Sequence, residues 1–160
     1  FSFMKRLHVL TVLVENNAGV LSRVAGLFAR RAYNIDSLSV GETEDPSKSR
    51  MTIATHADDA TLAQIKHQLA KLTEVLEIAE LNKENAALRE HVLIKVAARE
   101  RSAVMEICDI FRARIVDISR ETLTAELTGG PSKINAFIDQ LEQHEIKDLV
   151  RTGLTGLPRG

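Results

Sequence analysis

The sequence predicts an α+β protein built of two βαββαβ halves, and three observations carry that reading. An apolar run at residues 7–14 stops at two asparagines, and after Gly19 the apolar residues return at helical spacing. Strand-like and helix-like segments then follow in the order strand-helix-strand-strand-helix-strand over residues 4–81. A polar, charged stretch at 82–90 follows, and the same order runs again over residues 91–160.

Arg6–Glu15 is the first predicted strand. Leu7, Val9 and Leu13 alternate with Leu10, Val12 and Val14, so both faces are apolar, as in a central strand rather than an edge. The next helix is expected to turn Leu21, Val24, Ala25, Phe28 and Ala32 inward and Ser22, Arg23, Arg30 and Arg31 mostly to water. Asn34 follows, a residue that tolerates the left-handed backbone on which helices often end. Residues 35–40 alternate apolar and polar, 41–49 form a polar turn, and 50–55 return as a strand. Asp58 or Asp59 caps a second helix that aligns Leu62, Ile65, Leu69 and Leu72. Val75, Leu76 and Ile78 mark a fourth strand, which completes the split βαβ, or ferredoxin-like, motif.

Residues 82–90 read as a linker, and the second half then repeats the order. A strand at 92–96 leads to a helix marked by Val104, Ile107, Cys108 and Phe111. Two strands, at 115–118 and 123–127, precede the break at Gly129, Gly130 and Pro131. A helix with Ile134, Phe137, Ile138 and Leu141 follows, and Ile146, Leu149 and Val150 close the half. Leu27-Phe28 echoes Ile110-Phe111, which supports a degenerate repeat. The second half has Ala98-Arg99-Glu100 where the first has Asn16-Asn17-Ala18-Gly19, so any small-molecule site is expected in the first half.

Composition removes several classes of function. A net charge of -1 exerts no long-range pull on nucleic acid or an anionic membrane. The absence of Trp and a single Tyr argue against a base-stacking platform. No apolar run approaches the roughly 20 residues needed to span a bilayer, and no signal peptide is recognised. Phe1-Ser2-Phe3, ahead of Met4, is read as an appendage. The single cysteine, Cys108, fits a reducing cytoplasm and sits in a helix stripe that marks it as core. The five histidines lack metal-ligand spacing, and no nucleophile–base set assembles, so no catalytic residue is expected.

The chemistry concentrates at the loop of residues 16–20. A strand running through a short loop into a helix N-terminus offers unpaired amides and partial positive charge to a carboxylate or phosphate. The loop has too few glycines for a phosphate cradle, so an amino-acid carboxylate flanked by asparagine amides is the better fit. The plainer alternative is that Asn16 and Asn17 only form the turn and cap the helix.

The stretches LVENNAGVLSRV (13–24), LFARRAYNIDSL (27–38) and SRMTI (49–53) resemble the regulatory small subunit of acetohydroxyacid synthase, also called acetolactate synthase. Arg89-Glu90 and TGLTGLPRG (152–160) extend the likeness over essentially the whole chain from Met4. The resemblance implies two ACT-type domains (4–81 sensing and dimerising, 82–90 linking, 91–160 ACT-like) and a homodimer formed through the first of them. It further implies a cytoplasmic complex with a catalytic subunit, which this chain activates and places under feedback inhibition by valine. Thiamine diphosphate, magnesium and FAD would belong to that partner and none to this chain. The implied valine-binding residues are Asn16, Asn17, Ala18, Gly19 and Val20 of one protomer, with Asn34 and Ile35 facing them across the interface. Gly19 keeps a Cβ away from the ligand, and Asn16 and Asn34 supply amide oxygens to its ammonium. The family often has glycine where Ala32 stands; here the special backbone conformation is assigned to Asn34 instead. A stand-alone ACT-type module of a transcriptional regulator is the alternative, although no DNA-reading segment or basic patch accompanies it.

Overall fold

The computed structural model describes residues 4–160, so the appendage read at Phe1-Ser2-Phe3 lies outside the described residues. The chain divides into two compact units, one of residues Phe1–Ala87 with Gly153–Gly160 and one of Leu88–Thr152.

In the first unit β1 (Arg6–Glu15), α1 (Val20–Arg30), β2 (Ser37–Glu42), β3 (Lys48–Ala57), α2 (Asp59–Ala70) and β4 (Val75–Leu81) follow in the expected order. They form an antiparallel sheet ordered β2-β3-β1-β4, so β1 is central, as its two apolar faces require. Leu10, Val12 and Val14 of β1 pack with Met51 and Ile53 of β3 and with Val20, Val24, Leu27 and Phe28 of α1. Leu62, Ile65 and Leu69 of α2 complete this core. The cap of α2 is Asp58, whose carboxylate accepts the Thr61 amide at 2.7 Å.

The second unit repeats the plan with β5 (Ala86–Ala97), α3 (Arg101–Phe111), β6 (Arg114–Ile118), β7 (Thr122–Gly129), α4 (Pro131–Leu141) and β8 (Ile146–Arg151). The strands are ordered β6-β7-β5-β8. Pro131 opens α4 at the position where its missing N–H costs nothing, and Ile134, Phe137, Ile138 and Leu141 are all buried. The carboxylate of Glu90, itself buried, takes a two-pronged bond from Arg151 (2.6 and 3.0 Å), which ties β8 to β5. Both units are ferredoxin-like.

Four expectations change. Leu21 is exposed; the buried stripe of α1 is Val20, Val24, Leu27 and Phe28, because the helix is rotated so that Val20 rather than Leu21 faces the sheet. Residues 82–90 are not a free linker: Asn82 folds a turn through bonds to the Glu84 and Asn85 amides, and β5 has begun by Ala86. Residues 153–160 pack with the first unit rather than completing the second. There Leu154 is buried and its amide donates to Ser37 Oγ (3.4 Å). Beyond it the Arg159 amide reaches the Asn85 carbonyl (2.7 Å).

The fourth change concerns the end of α1. Ala32, not Asn34, takes the left-handed conformation, with φ of 54°. The Tyr33 amide donates to the Phe28 carbonyl (3.0 Å) and the Ala32 amide to the Ala29 carbonyl (3.2 Å), the bond pair of a Schellman cap. Its apolar contact is present too, with the Phe28 and Tyr33 rings edge-on at 6.0 Å. The same cap ends α3: Arg112 is left-handed (φ 62°), Ala113 donates to Cys108 (2.8 Å) and Arg112 to Asp109 (3.1 Å). Phe28 therefore corresponds to Cys108, and the echo between Leu27-Phe28 and Ile110-Phe111 is out of register although the repeat is real.

Two stability measurements follow from these backbones. Replacing Ala32 by Gly relieves the Cβ strain, so thermal unfolding should shift upward by a few degrees, about 0.5–1 kcal/mol. Gly153→Ala should lower the midpoint, because a Cβ there meets Ser37 Cβ at 2.6 Å and the φ of 82° disfavours any side chain.

Candidate functional site

The loop between β1 and α1 is built by backbone bonds at both ends. The Glu15 amide donates to the Glu74 carbonyl (2.9 Å), and the Asn16 amide to the Ser47 carbonyl (2.7 Å). Asn16 Nδ2 donates to the Pro46 carbonyl (3.0 Å) and to Glu42 Oε1 (3.3 Å), which fastens the loop to the turn between β2 and β3. Asn17 Nδ2 donates to Glu15 Oε2 (3.0 Å). Both asparagines thus use their NH2 groups to shape the turn, and neither caps the helix.

The residue that starts α1 is Gly19, with φ of 88° and nothing within 4 Å of where a Cβ would stand. No side chain caps the first turn, and no acidic side chain lies in it, so the positive end of the helix is not neutralised there. A carboxylate fits this end. Val20 is different from its neighbours: its side chain is in the core, so only its backbone faces the loop. An open depression of about 350 Å³, lined by Glu15, Asn17, Ser47, Lys48 and Leu76, adjoins the loop.

Asn34 and Ile35 follow the cap of α1. The Asp36 amide donates to the Ala54 carbonyl (2.8 Å), Thr55 Oγ1 donates to the Asn34 carbonyl, and Tyr33 OH reaches Gln64 Oε1 (3.2 Å). Ile35 packs against the core, while the Asn34 side chain is exposed and its Nδ2 donates to Asp36 Oδ1 (2.5 Å).

One chain does not bring these two groups of residues together. Asn34 hangs from Thr55, which pairs with His8 near the start of β1, whereas the loop begins after Glu15 at the other end. From His8 to Glu15 is a rise of roughly 24 Å at about 3.4 Å per residue. The two groups of residues therefore lie at opposite ends of the sheet.

Three features escaped the sequence reading, two of them beside these residues. Glu74 is buried, and its carboxylate pairs with Arg23 of α1 while its carbonyl holds the end of β1. Asp36 links Asn34 to His56, whose Nδ1 lies 2.5 Å from Asp36 Oδ2. In the second unit His144 is half-buried and lies 3.4 Å from Glu100. Asp36, two residues beyond Asn34, was legible as a neighbour; the arginine and histidine partners come from elements distant in sequence and gave no signal.

Burial pushes the Cys108 thiol up, which keeps it protonated. Among the described residues no group of three or more His, Cys, Asp or Glu side chains is arranged to hold a metal ion, and no helix is long and apolar enough to cross a membrane.

Comparison with known proteins gives a consistent result along the chain. A family described as "AHAS small subunit-like ACT domain" matches residues 10–77, and one described as "Small subunit of acetolactate synthase" matches residues 89–160. The "Probable acetolactate synthase small subunit" of Archaeoglobus fulgidus is 48% identical over 155 residues, covering 96% of this chain and 97% of that protein. The "Acetolactate synthase small subunit" of Mycobacterium leprae is 47% identical over 155 residues, covering 96% and 92%. The crystal structure of the acetolactate synthase small subunit from Thermotoga maritima superposes with a TM-score of 0.88 at 41% identity, covering 97% of this chain and 98% of that one.

The left-handed Gly19 yields a direct test of the loop. Gly19→Ala should fold, since its methyl meets no protein atom, but should cost about 1 kcal/mol in thermal unfolding from the positive φ. A loss of several kcal/mol instead would mean that the loop cannot hold this conformation with any side chain.

Proposed function

The chain belongs to the acetolactate synthase small-subunit family, and we propose from that premise that it is a non-catalytic regulatory subunit that senses valine. On this reading it acts in the cytoplasm, raises the activity of a catalytic partner chain and makes that activity fall as valine accumulates. The chemistry, with its thiamine diphosphate, magnesium and FAD, stays on the partner.

The observation that carries the reading is the uncapped start of α1 at Gly19, opposite in character to the acceptor-rich segment at Asn34. Valine is a zwitterion with a branched apolar side chain. Its carboxylate suits the uncapped start of α1, where the Val20 amide makes only a long bond to the Asn17 carbonyl (3.4 Å) and open space stands in place of a Gly19 Cβ. Its ammonium suits amide oxygens, and Asn16 and Asn34 each commit their NH2 group to a protein acceptor, which leaves Oδ1 without a protein donor among the described residues. Because the two half-sites lie at opposite ends of one sheet, a second copy of the chain must supply the missing half. This supports a homodimer through the first domains, with Asn16, Asn17, Ala18, Gly19 and Val20 of one protomer facing Asn34 and Ile35 of its partner. An effector held between protomers biases their arrangement, which is how a signal would reach an active site on another chain.

Acetolactate formation by the cognate catalytic subunit, with and without this chain across a valine titration, tests the reading. Activation and valine inhibition are both expected. Gly19→Asp, which sets a carboxylate against the ligand's own, and Asn34→His should keep activation and raise the inhibitory valine concentration by at least tenfold. Activation that ignores valine, leucine and isoleucine alike would retain the partner and sink the sensor.

A further inference from the structure

The carboxylate of Asp36 is divided between two donors. Oδ1 takes the Asn34 amide at 2.5 Å and Oδ2 takes the His56 ring at 2.5 Å. An amide oxygen placed that close to a carboxylate oxygen would be repelled, so the group that Asn34 turns toward Asp36 is its NH2. The Asn34 Oδ1 then points away from Asp36, with no protein donor among the described residues. The backbone around it is fixed as well, through Thr55 Oγ1 on the Asn34 carbonyl and the Asp36 amide on the Ala54 carbonyl. His56 belongs to β3, so the rigid sheet orients Asp36 and Asp36 orients Asn34.

We propose that Asp36, held by His56, is a positioning residue that makes the Asn34 half-site selective for an effector bearing an ammonium group. The inference rests on the effector reading above and adds to it a discrimination. An oxo acid with valine's carbon skeleton has the same carboxylate and the same isopropyl group. It differs at one place, where a carbonyl oxygen replaces the ammonium. An Asn34 fixed with its oxygen outward, and a carboxylate directly behind it, attract the ammonium and repel the carbonyl oxygen. Without Asp36 the amide is free to turn over and donate its NH2 to that oxygen. The site would then accept the oxo acid nearly as well as the amino acid. A sensor of the amino acid that ignores its oxo acid reports the finished end product and not a compound one transamination away.

The experiment is isothermal titration of the full chain with L-valine and with 3-methyl-2-oxobutanoate, for the unaltered protein and for Asp36→Ala. The unaltered protein should bind valine at least tenfold more tightly than the oxo acid, the scale set by one hydrogen bond to a charged group. In Asp36→Ala, valine affinity should fall about tenfold while oxo-acid affinity holds or rises, so the ratio collapses. A merely structural role would weaken both ligands alike and leave the ratio unchanged, which overturns the proposal; so does a variant that binds both as the unaltered protein does. Asp36→Asn, which keeps the shape and removes the charge, is read by the same ratio if Asp36→Ala melts early. An unaltered chain that binds neither ligand removes the effector reading itself and this inference with it. That outcome is distinct from one in which valine binds and the ratio survives the substitution.

Discussion

The length and rigidity of β1 set most of what this chain can do. It is a central strand of its sheet, bonded to β3 along its whole length and to β4 over residues 9–14. Leu10, Val12 and Val14 fix its helix-facing side in the core, so a slip of one residue would turn that whole set the wrong way. The strand therefore acts as a ruler. Its end presents the loop that leads to Gly19, and its start lies beside the strand from which Asn34 is hung. No side-chain movement closes a gap of that size, so a ligand that needs both must be shared between two copies.

The second unit shows what the fold needs when the Asn-Asn-Ala-Gly loop is absent. Its β5 also ends by donating an amide to the residue ahead of the last strand, Ala97 to the Glu145 carbonyl, as Glu15 does to Glu74. Each of these glutamates is also paired with an arginine, Arg23 in the first unit and Arg99 in the second. The helix that follows ends in the same cap in both. The crossover is where they part. In the second unit it is a tight helical turn, Ala98–Glu100, without a glycine and crowded by the side chains of Arg99, Glu100, His144 and Glu145. The shared features belong to the fold, and the asparagines and Gly19 are what the first crossover has and the second lacks.

Much of this was legible because it rests on local patterns. The bounds of β1, the Asp58 cap, the core leucines of α2 and the Pro131 start of α4 all follow from periodicity or capping chemistry within a few residues. The failures have equally definite causes. Ala32 was passed over for the left-handed position because alanine has no intrinsic liking for it; the Schellman bonds and the Phe28–Tyr33 contact hold it there against that preference. Residues 82–90 look like a linker by composition, yet their second part alternates with the pleat of β5, a pattern that only the partner strand reveals. The site residues were visible as a turn and a helix start, but the links from Asp36 to His56 and from Glu74 to Arg23 join distant parts of the sequence and leave no local trace.

The return of residues 153–160 to the first unit has a consequence for how the chain is made. Ribosomal synthesis delivers residues 4–87 early, but the seat at Ser37 stays empty until residues 88–152 have also emerged. The first domain is thus finished last. A chain that stops short, or is clipped within its second half, lacks Leu154 against Ser37 and leaves part of the first sheet uncovered beside the very segment that ends in Asn34 and Asp36.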